Sequence, residues 1–301
     1  MINQFQRTYK EKIEKVKVPL GKRPDWLKVR LPTGDNYTDV KTLMKKQNLH
    51  TVCEEARCPN IAECWNHRTA TFMILGDTCT RSCGFCNVKL GIPSKLDLDE
   101  PKRVAESVQE LNLRHVVITS VNRDELEDGG AFIFAETVRL IRKQMPETTI
   151  EILIPDFKGN KESFKIIMQN PPDILNHNLE TVPRLYSVVR PQAKYDRSLE
   201  LIKWFKQKGL KTKSGIMVGI GETTDEVLFL MQDLVSAGCN ILTIGQYLQP
   251  TKLHLPVDRF VTPDEFNLYK VEGLKMGFII VESSPLVRSS YHADEHARAI
   301  L

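Results

Sequence analysis

Six short apolar runs, each rich in β-branched or other apolar residues, alternate along the chain with amphipathic stretches. The runs are residues 69–76, 115–121, 149–155, 174–180, 210–219 and 241–248, and their composition is that of buried strands. Between the first two, Val104, Ala105, Val108 and Leu111 fall on one helical face. From 224 to 238, Thr224 suits an N-cap with Asp225 and Glu226 in the first turn, Val227, Leu228, Met231, Leu234 and Val235 form the stripe, and Gly238 suits the C′ position. A further helix starts at Thr262, where Thr262 and Glu265 form a capping box, Pro263 sits at N1 and Gly277 closes it. Six strand–helix repeats imply a parallel α/β sheet, because parallel strands need crossovers. The pattern leaves a doubly wound sheet and a barrel equally open. In both, ligands gather where the strands end.

The apolar pattern contains no run of roughly 18–20 residues, so no membrane helix is expected. Residues 1–22 have no apolar core, which argues against a signal peptide and for a cytoplasmic protein, or an organellar one without its targeting segment. A net charge of only +4 does not demand nucleic acid as a partner. The charge is uneven, however. Between Arg7 and Arg23 stand seven Lys or Arg residues against Glu11 and Glu14, which reads as a solvated tail or as a docking arm for an acidic protein.

Cysteine changes the picture most. Cys53, Cys58, Cys64, Cys79, Cys83 and Cys86 lie within 34 residues, and only Cys239 lies elsewhere. Clustered thiols without a secretory signal point to metal or redox chemistry rather than to disulfides. Cys239 reads as a small buried apolar residue.

The second trio, Cys79-x3-Cys83-x2-Cys86, follows directly on the first strand. Three thiolates on one loop cap three irons of a cubane and leave the fourth open, whereas zinc would want a further Cys or His nearby and ferredoxin spacings differ. This spacing resembles the radical S-adenosylmethionine superfamily. The resemblance implies that the nucleotide's amino and carboxylate groups fill the open iron site and that Phe85 packs against adenine. It also brings in Gly219 and Gly221, which end a strand and otherwise read as turn residues, and Asn178 and Glu180, which otherwise read as strand-end caps.

The first trio, Cys53-x4-Cys58-x5-Cys64, matches no zinc-finger or simple ferredoxin spacing. With the terminal stretch Val287-Arg288-Ser289-Ser290-Tyr291-His292-Ala293, it resembles the lipoyl synthase family. The likeness runs from about Lys22 to Ala293. It implies two 4Fe–4S clusters with S-adenosylmethionine, and Ser290 (Ser289 being the adjacent alternative) as fourth ligand of an auxiliary cluster, where a hard oxygen would be the labile corner. Arg123 and Arg190, in the matching segments Thr119–Asp124 and Val189–Pro191, are candidates for holding a carboxylate or positioning substrate, or equally for structural ion pairs.

The implied fold is a partial (βα)6 barrel spanning 68–277. Extensions at 1–67 and 278–301 would cap its mouth. The implied reaction is insertion of two sulfur atoms at C6 and C8 of an octanoyl-lysine. The implied partners are the carrier domain bearing that lysine (2-oxoacid dehydrogenase E2 or glycine cleavage H protein), an external electron donor and an iron–sulfur cluster carrier. Two other readings stand beside it: another radical enzyme with an auxiliary cluster, and a non-enzymatic iron–sulfur carrier.

Overall fold

The computed structural model describes residues 23–28, 35–56, 58–66 and 71–301, so the basic stretch before Arg23 lies outside the described residues. One sheet organises the chain. Its strands are β1 (His50–Thr51), β2 (Thr71–Ile74), β3 (His115–Ser120), β4 (Thr149–Leu153), β5 (Ile174–Asn176), β6 (Lys211–Val218), β7 (Ile241–Gln246) and β8 (Ile280–Ser283). They neighbour one another in chain order. All pairs from β2 to β8 are parallel, and β1 alone runs antiparallel, against β2.

That order decides between the two architectures. A doubly wound sheet reverses direction at a switch point. Here every crossover advances one strand in the same sense, so the helices gather on one face and the sheet curls toward a barrel. Among the described residues the edge strands β1 and β8 do not pair with each other, so the barrel stays partial.

Three short helices precede or flank the first strands: α1 (Asp35–Lys46), α2 (Val52–Glu55) and α3 (Ile61–Asn66). The crossovers carry α4 (Glu100–Glu110), α5 (Ala131–Gln144), α6 (Lys161–Ile167), α7 (Tyr195–Gln207), α8 (Thr224–Ser236) and α9 (Pro263–Met276). Val104, Ala105 and Val108 of α4 are buried, as their spacing predicts. The cap of α8 is Thr223, not Thr224: its hydroxyl accepts from Glu226 N, and the Glu226 carboxylate returns to Thr223 N at 2.9 Å. At α9 only half of the expected box forms. Thr262 caps Glu265 N, but the Glu265 carboxylate is taken by both Nη groups of Arg259 at 2.7 Å.

Two further differences matter for the site. Strand β8 is a seventh parallel strand inside the segment expected to be an extension; four residues coming straight after the helix stop at Gly277 are too short to show a period. The last helix, α10 (Ala293–Ile300), packs Ala297 and Ile300 on Ile174, Ile241 and Ile280, the first residues of β5, β7 and β8. It therefore covers the end of the barrel opposite the strand C-termini, and only the segment before it reaches the mouth. Among the described residues no helix is long and apolar enough to cross a membrane.

The barrel interior holds a fully buried polar layer. Lys213 Nζ lies 3.0 Å from Glu151 Oε2, both side chains 0% exposed, and Asn176 Nδ2 donates to Glu151 Oε1 at 2.8 Å. His115 and His177 are among the buried side chains as well. Burial holds His115 and His177 well below the usual imidazole range, each at about 4. The fold thus favours their neutral forms. Their stabilising contribution is complete above pH 6.5 and is lost as pH falls toward 4, about 3 kcal/mol for each. Urea unfolding at pH 7 and pH 4.5 should show that fall, and a His177→Asn variant should flatten the slope. An unchanged slope in the variant would mean that His177 is not held neutral by the fold.

Candidate functional site

The loop after β2 starts from a turn that few residues tolerate. Leu75 and Gly76 both have left-handed backbones, φ 70° and 88°, and the buried Glu100 carboxylate accepts their two N–H groups at 2.7 and 3.4 Å. The chain then makes a two-residue ladder, Thr78–Cys79 with Lys89–Leu90, and between those two pieces lie Cys83 and Cys86. The loop is fastened at several points. Gly84 N donates to Val189 O at 2.9 Å, Leu255 N donates to Gly84 O at 3.0 Å, and His254 Nε2 bonds Cys86 O at 2.9 Å. Cys79 Sγ accepts from Asn122 N at 3.3 Å.

The strongest fastening is Arg81. Its guanidinium grips Asp124 with Nε and Nη2 at 2.7 and 2.8 Å and also reaches Asp156 Oδ1 at 2.6 Å. Arg197 completes the group at 3.0 Å from the other Asp156 oxygen. Burial works against the Asp156 charge, yet the bonds and attraction from Arg81 outweigh it and hold the carboxyl at about 2. Removing Asp156 leaves Arg81 buried with one carboxylate instead of two. Asp156→Ala should therefore destabilise the protein by about 3 kcal/mol and lower the iron content of the second trio alone, read by iron analysis in a Cys53→Ala background. Full iron occupancy would show that the brace is dispensable.

Above the sheet's C-terminal ends opens a cavity of about 1670 Å³. That exceeds the roughly 300–1,000 Å³ of an ordinary ligand pocket, so there is room for a nucleotide and a second substrate. Cys79, Cys83 and Cys86 line it, as do Cys53 and Cys58 of the other trio. A small side recess is lined by Cys53, Cys58 and Cys64 together with Ser290. The recess is closed from the C-terminal side: Asn60 Nδ2 donates to Leu286 O at 2.7 Å, and Tyr291 OH to Glu63 at 3.3 Å. Asn87 Nδ2 donates to Glu55 O at 2.8 Å, which ties the two cysteine segments together.

Of the residues singled out in the sequence, Phe85, Asn178, Glu180, Arg190, Ser289 and Ser290 line the cavity. Glu180 is half-buried with φ 67°, accepts from Asn178 Nδ2 at 3.0 Å, and has its carboxyl pushed up by desolvation against the attraction of Arg190. Arg190 Nη1 donates to Asn178 O at 2.7 Å and Leu179 O at 3.2 Å. Gly219 and Gly221 do not line the cavity. A Cβ on Gly219 would stand 2.1 Å from Gln246 Nε2 and 2.4 Å from Arg259 O, so its close approach is to the protein itself. Arg123 also stands outside. Its three donors go to Glu125, Leu75 O and Ser94 O, which is the structural use and not the carboxylate-holding one.

Of the glycines that line the cavity, Gly215 and Gly245 lie within strands. A Cβ at Gly215 would come 2.7 Å from Thr243 Oγ1 and 2.8 Å from Asn178 Oδ1; one at Gly245 would come 2.1 Å from Val287 O. Mid-strand glycines flag close approach, but nothing in the sequence says to what. Arg81, Asp156 and His254 were missed for a related reason: each acts through a distant partner that spacing cannot reveal.

The lining fits iron–sulfur clusters and a polar nucleotide. Burial pushes the thiols of Cys53 and Cys86 up to about 12 and that of Cys83 to about 11, and raises Cys58 and Cys64 as well. Such thiols ionise readily only when a cationic centre compensates. Among the described residues no three His, Cys, Asp or Glu side chains converge on a mononuclear site. A cubane needs no such convergence, because each thiolate caps its own iron. Around the cavity Ser120 Oγ, Asn122 Oδ1, Asn178 Oδ1 and Arg190 Nε are buried without protein partners, as expected where a polar ligand completes the bonding.

Comparison with known proteins agrees. Residues 73–234 match the model of the radical SAM superfamily, and residues 2–58 match that of the N-terminal domain of lipoyl synthase of the Radical_SAM family. The chain is 60% identical over 275 residues to a lipoyl synthase from Rubrobacter xylanophilus, covering 91% of this chain and 86% of that one. It is 57% identical to one from Symbiobacterium thermophilum, covering 94% and 89%. Among solved structures, methylornithine synthase shares the fold with a TM-score of 0.53 at 15% identity, covering 84% of this chain and 83% of the other.

Proposed function

Because this chain belongs to the lipoyl synthase family of radical S-adenosylmethionine enzymes, which insert sulfur into an octanoyl substrate, we propose how its residues divide that work. The octanoyl chain is amide-linked to a lysine of a lipoyl carrier domain and receives sulfur at C6 and C8. One observation carries the assignment: Cys53 and Cys58 of the first trio line one cavity with the whole second trio, and Cys64 and Ser290 join them in the side recess.

Cys79, Cys83 and Cys86 would hold one 4Fe–4S cluster, which when reduced supplies the electron that splits S-adenosylmethionine into methionine and a hydrogen-abstracting 5′-deoxyadenosyl radical. Cys53, Cys58, Cys64 and Ser290 would hold the second cluster, which is consumed as the sulfur source and is a substrate in that sense. Ser290 is favoured over Ser289 because it alone lines the recess with the three thiols.

The chain's own contribution is positioning and exclusion. Asn178 offers an unpaired carbonyl oxygen to the nucleotide's donors, and the half-buried Glu180 carboxylate stands beside it as an acceptor. Arg190 Nε is buried without a protein partner, while Nη1 holds the strand end in place. Phe85 presents an apolar face for the adenine ring. The apolar walls keep water from a carbon radical. The carrier bearing the octanoyl-lysine would be a 2-oxoacid dehydrogenase E2 or a glycine cleavage H protein, with an external electron donor and an iron–sulfur cluster carrier as further partners.

The test is anaerobic: reconstituted protein with both clusters loaded, dithionite, S-adenosylmethionine and an octanoyl-lysine peptide, read by mass spectrometry. A peptide that gains two sulfurs alongside 5′-deoxyadenosine is the expected result. Deoxyadenosine without peptide sulfur would keep the radical chemistry and overturn the sulfur assignment.

A further inference from the structure

Two loops at the cavity mouth display aliphatic side chains where a protein would ordinarily hide them. Ile92 is 96% exposed, Leu253 69% and Leu90 41%, and all three also border the cavity. These residues do not sit on floppy tips. Leu90 is in the two-residue ladder with Cys79, and Gly91 N donates to Cys79 O at 3.1 Å. On the other side, the neighbours of Leu253 are the fasteners already described, with His254 on Cys86 O and Leu255 N on Gly84 O. The rim is therefore built rigidly onto the cysteine loop and still leaves its apolar side chains in water. Exposed apolar groups ringed by charge mark interaction surfaces.

The charge around them is cationic. Lys89, Lys95 and Lys252 are exposed beside the three aliphatics. Of the nearby acids, Asp97 is held by Arg103 at 2.8 Å, and Asp77 lies 3.4 Å from Lys89.

The occupant follows from the substrate, and here the inference rests on the function proposed above. An acyl chain attached to a protein lysine must thread into the cavity through its mouth. The lysine arm is short, so the body of the carrier has to rest on the rim. We propose that Leu90, Ile92 and Leu253, flanked by Lys89, Lys95 and Lys252, form the docking surface for the carrier domain, and that the carrier face around its octanoyl-lysine is acidic with an apolar centre. The small octanoyl-peptide, which lacks a carrier body, does not use this surface.

That difference gives the experiment. Steady-state kinetics are measured on Ile92→Glu and Leu253→Glu with two substrates, the octanoylated carrier domain and an octanoyl-lysine tripeptide, after matching both variants to wild type in iron content and far-ultraviolet circular dichroism. The expected result is a KM for the carrier raised about tenfold or more, as for loss of a central interface contact, with kcat and all tripeptide constants unchanged. Lys252→Glu should raise the carrier KM less and remove most of its salt dependence. Equal losses on both substrates would mean that the loops only shape the cavity, and no loss on either would place the carrier elsewhere; both overturn the proposal. Sedimentation of the wild-type chain alone settles a third possibility, since a dimer dissolved by Ile92→Glu would make the surface a contact between two copies. Should wild type modify neither substrate, it is the proposed function that fails, not the docking surface.

Discussion

Replacing Cys79 with alanine is expected to abolish 5′-deoxyadenosine formation and sulfur insertion together, each by more than about 10³-fold, whereas Cys53→Ala should abolish sulfur insertion and leave deoxyadenosine formation measurable. Even an outer-sphere partner of a metal ligand is commonly worth roughly 10–100-fold, so loss of a direct ligand should exceed that. The asymmetry between the trios follows from their placement. Cys79 stands on the loop braced by Arg81, and Asn122 N points at its sulfur. Cys53 borders the same cavity but also lines the side recess, with Cys64 and Ser290 and with no residue of that loop. The direct bond between the segments, Asn87 to Glu55 O, predicts a partial fall in deoxyadenosine for Cys53→Ala rather than none. Chemical quench with chromatography and mass spectrometry reads both products in one sample. Equal loss of both in Cys53→Ala would end the separate assignment of the two trios.

The second large effect concerns stability. Glu151→Leu alone should destabilise the protein by about 3–5 kcal/mol, because Lys213 is then a buried ammonium without its carboxylate. Lys213→Met alone should do the same from the other side. The double change Glu151→Leu with Lys213→Met should recover most of the loss, since a desolvated pair gains little over apolar packing of similar volume. Asn176 would still lose its acceptor on Glu151, so recovery is expected to be incomplete by about 1 kcal/mol. Urea unfolding of all four proteins completes the cycle. Additive losses in the double variant would show that the two side chains act independently, contrary to the 3.0 Å contact.

Much of this fold could be read from the chain because its repeats are local. The α4 stripe, the stop at Gly277 and the strand starts at His115, Thr149, Ile174 and Ile241 each depend on neighbours within one or two turns, and all appear where the pattern puts them. The grouping of the six cysteines was equally legible from their spacing, and the structure gathers them around one cavity and its side recess. What escaped depends on partners far along the chain. Arg81 meets Asp156, Gly245 makes way for Val287, and His254 reaches Cys86 across 168 positions. Arg123 misled for the opposite reason. A guanidinium among matching residues suggests a ligand, but its donors are spent on Leu75 O and Ser94 O. Gly219 was a similar case: its left-handed turn is demanded by Gln246 and Arg259 next to it, and Glu222 accepts its N–H at 2.6 Å.

The wall that closes the side recess comes from Leu286 to Tyr291, among the last residues of the chain, and it is bonded to Asn60 and Glu63 near the beginning. Translation therefore delivers the three cysteines of the recess more than two hundred residues before the segment that shuts them in. All seven parallel strands can be synthesised while that pocket still gapes. A message cut short after Ser283 would encode every described strand and every cysteine, yet lack the segment that encloses the first trio. Until that segment is made, the first trio stays open on that side.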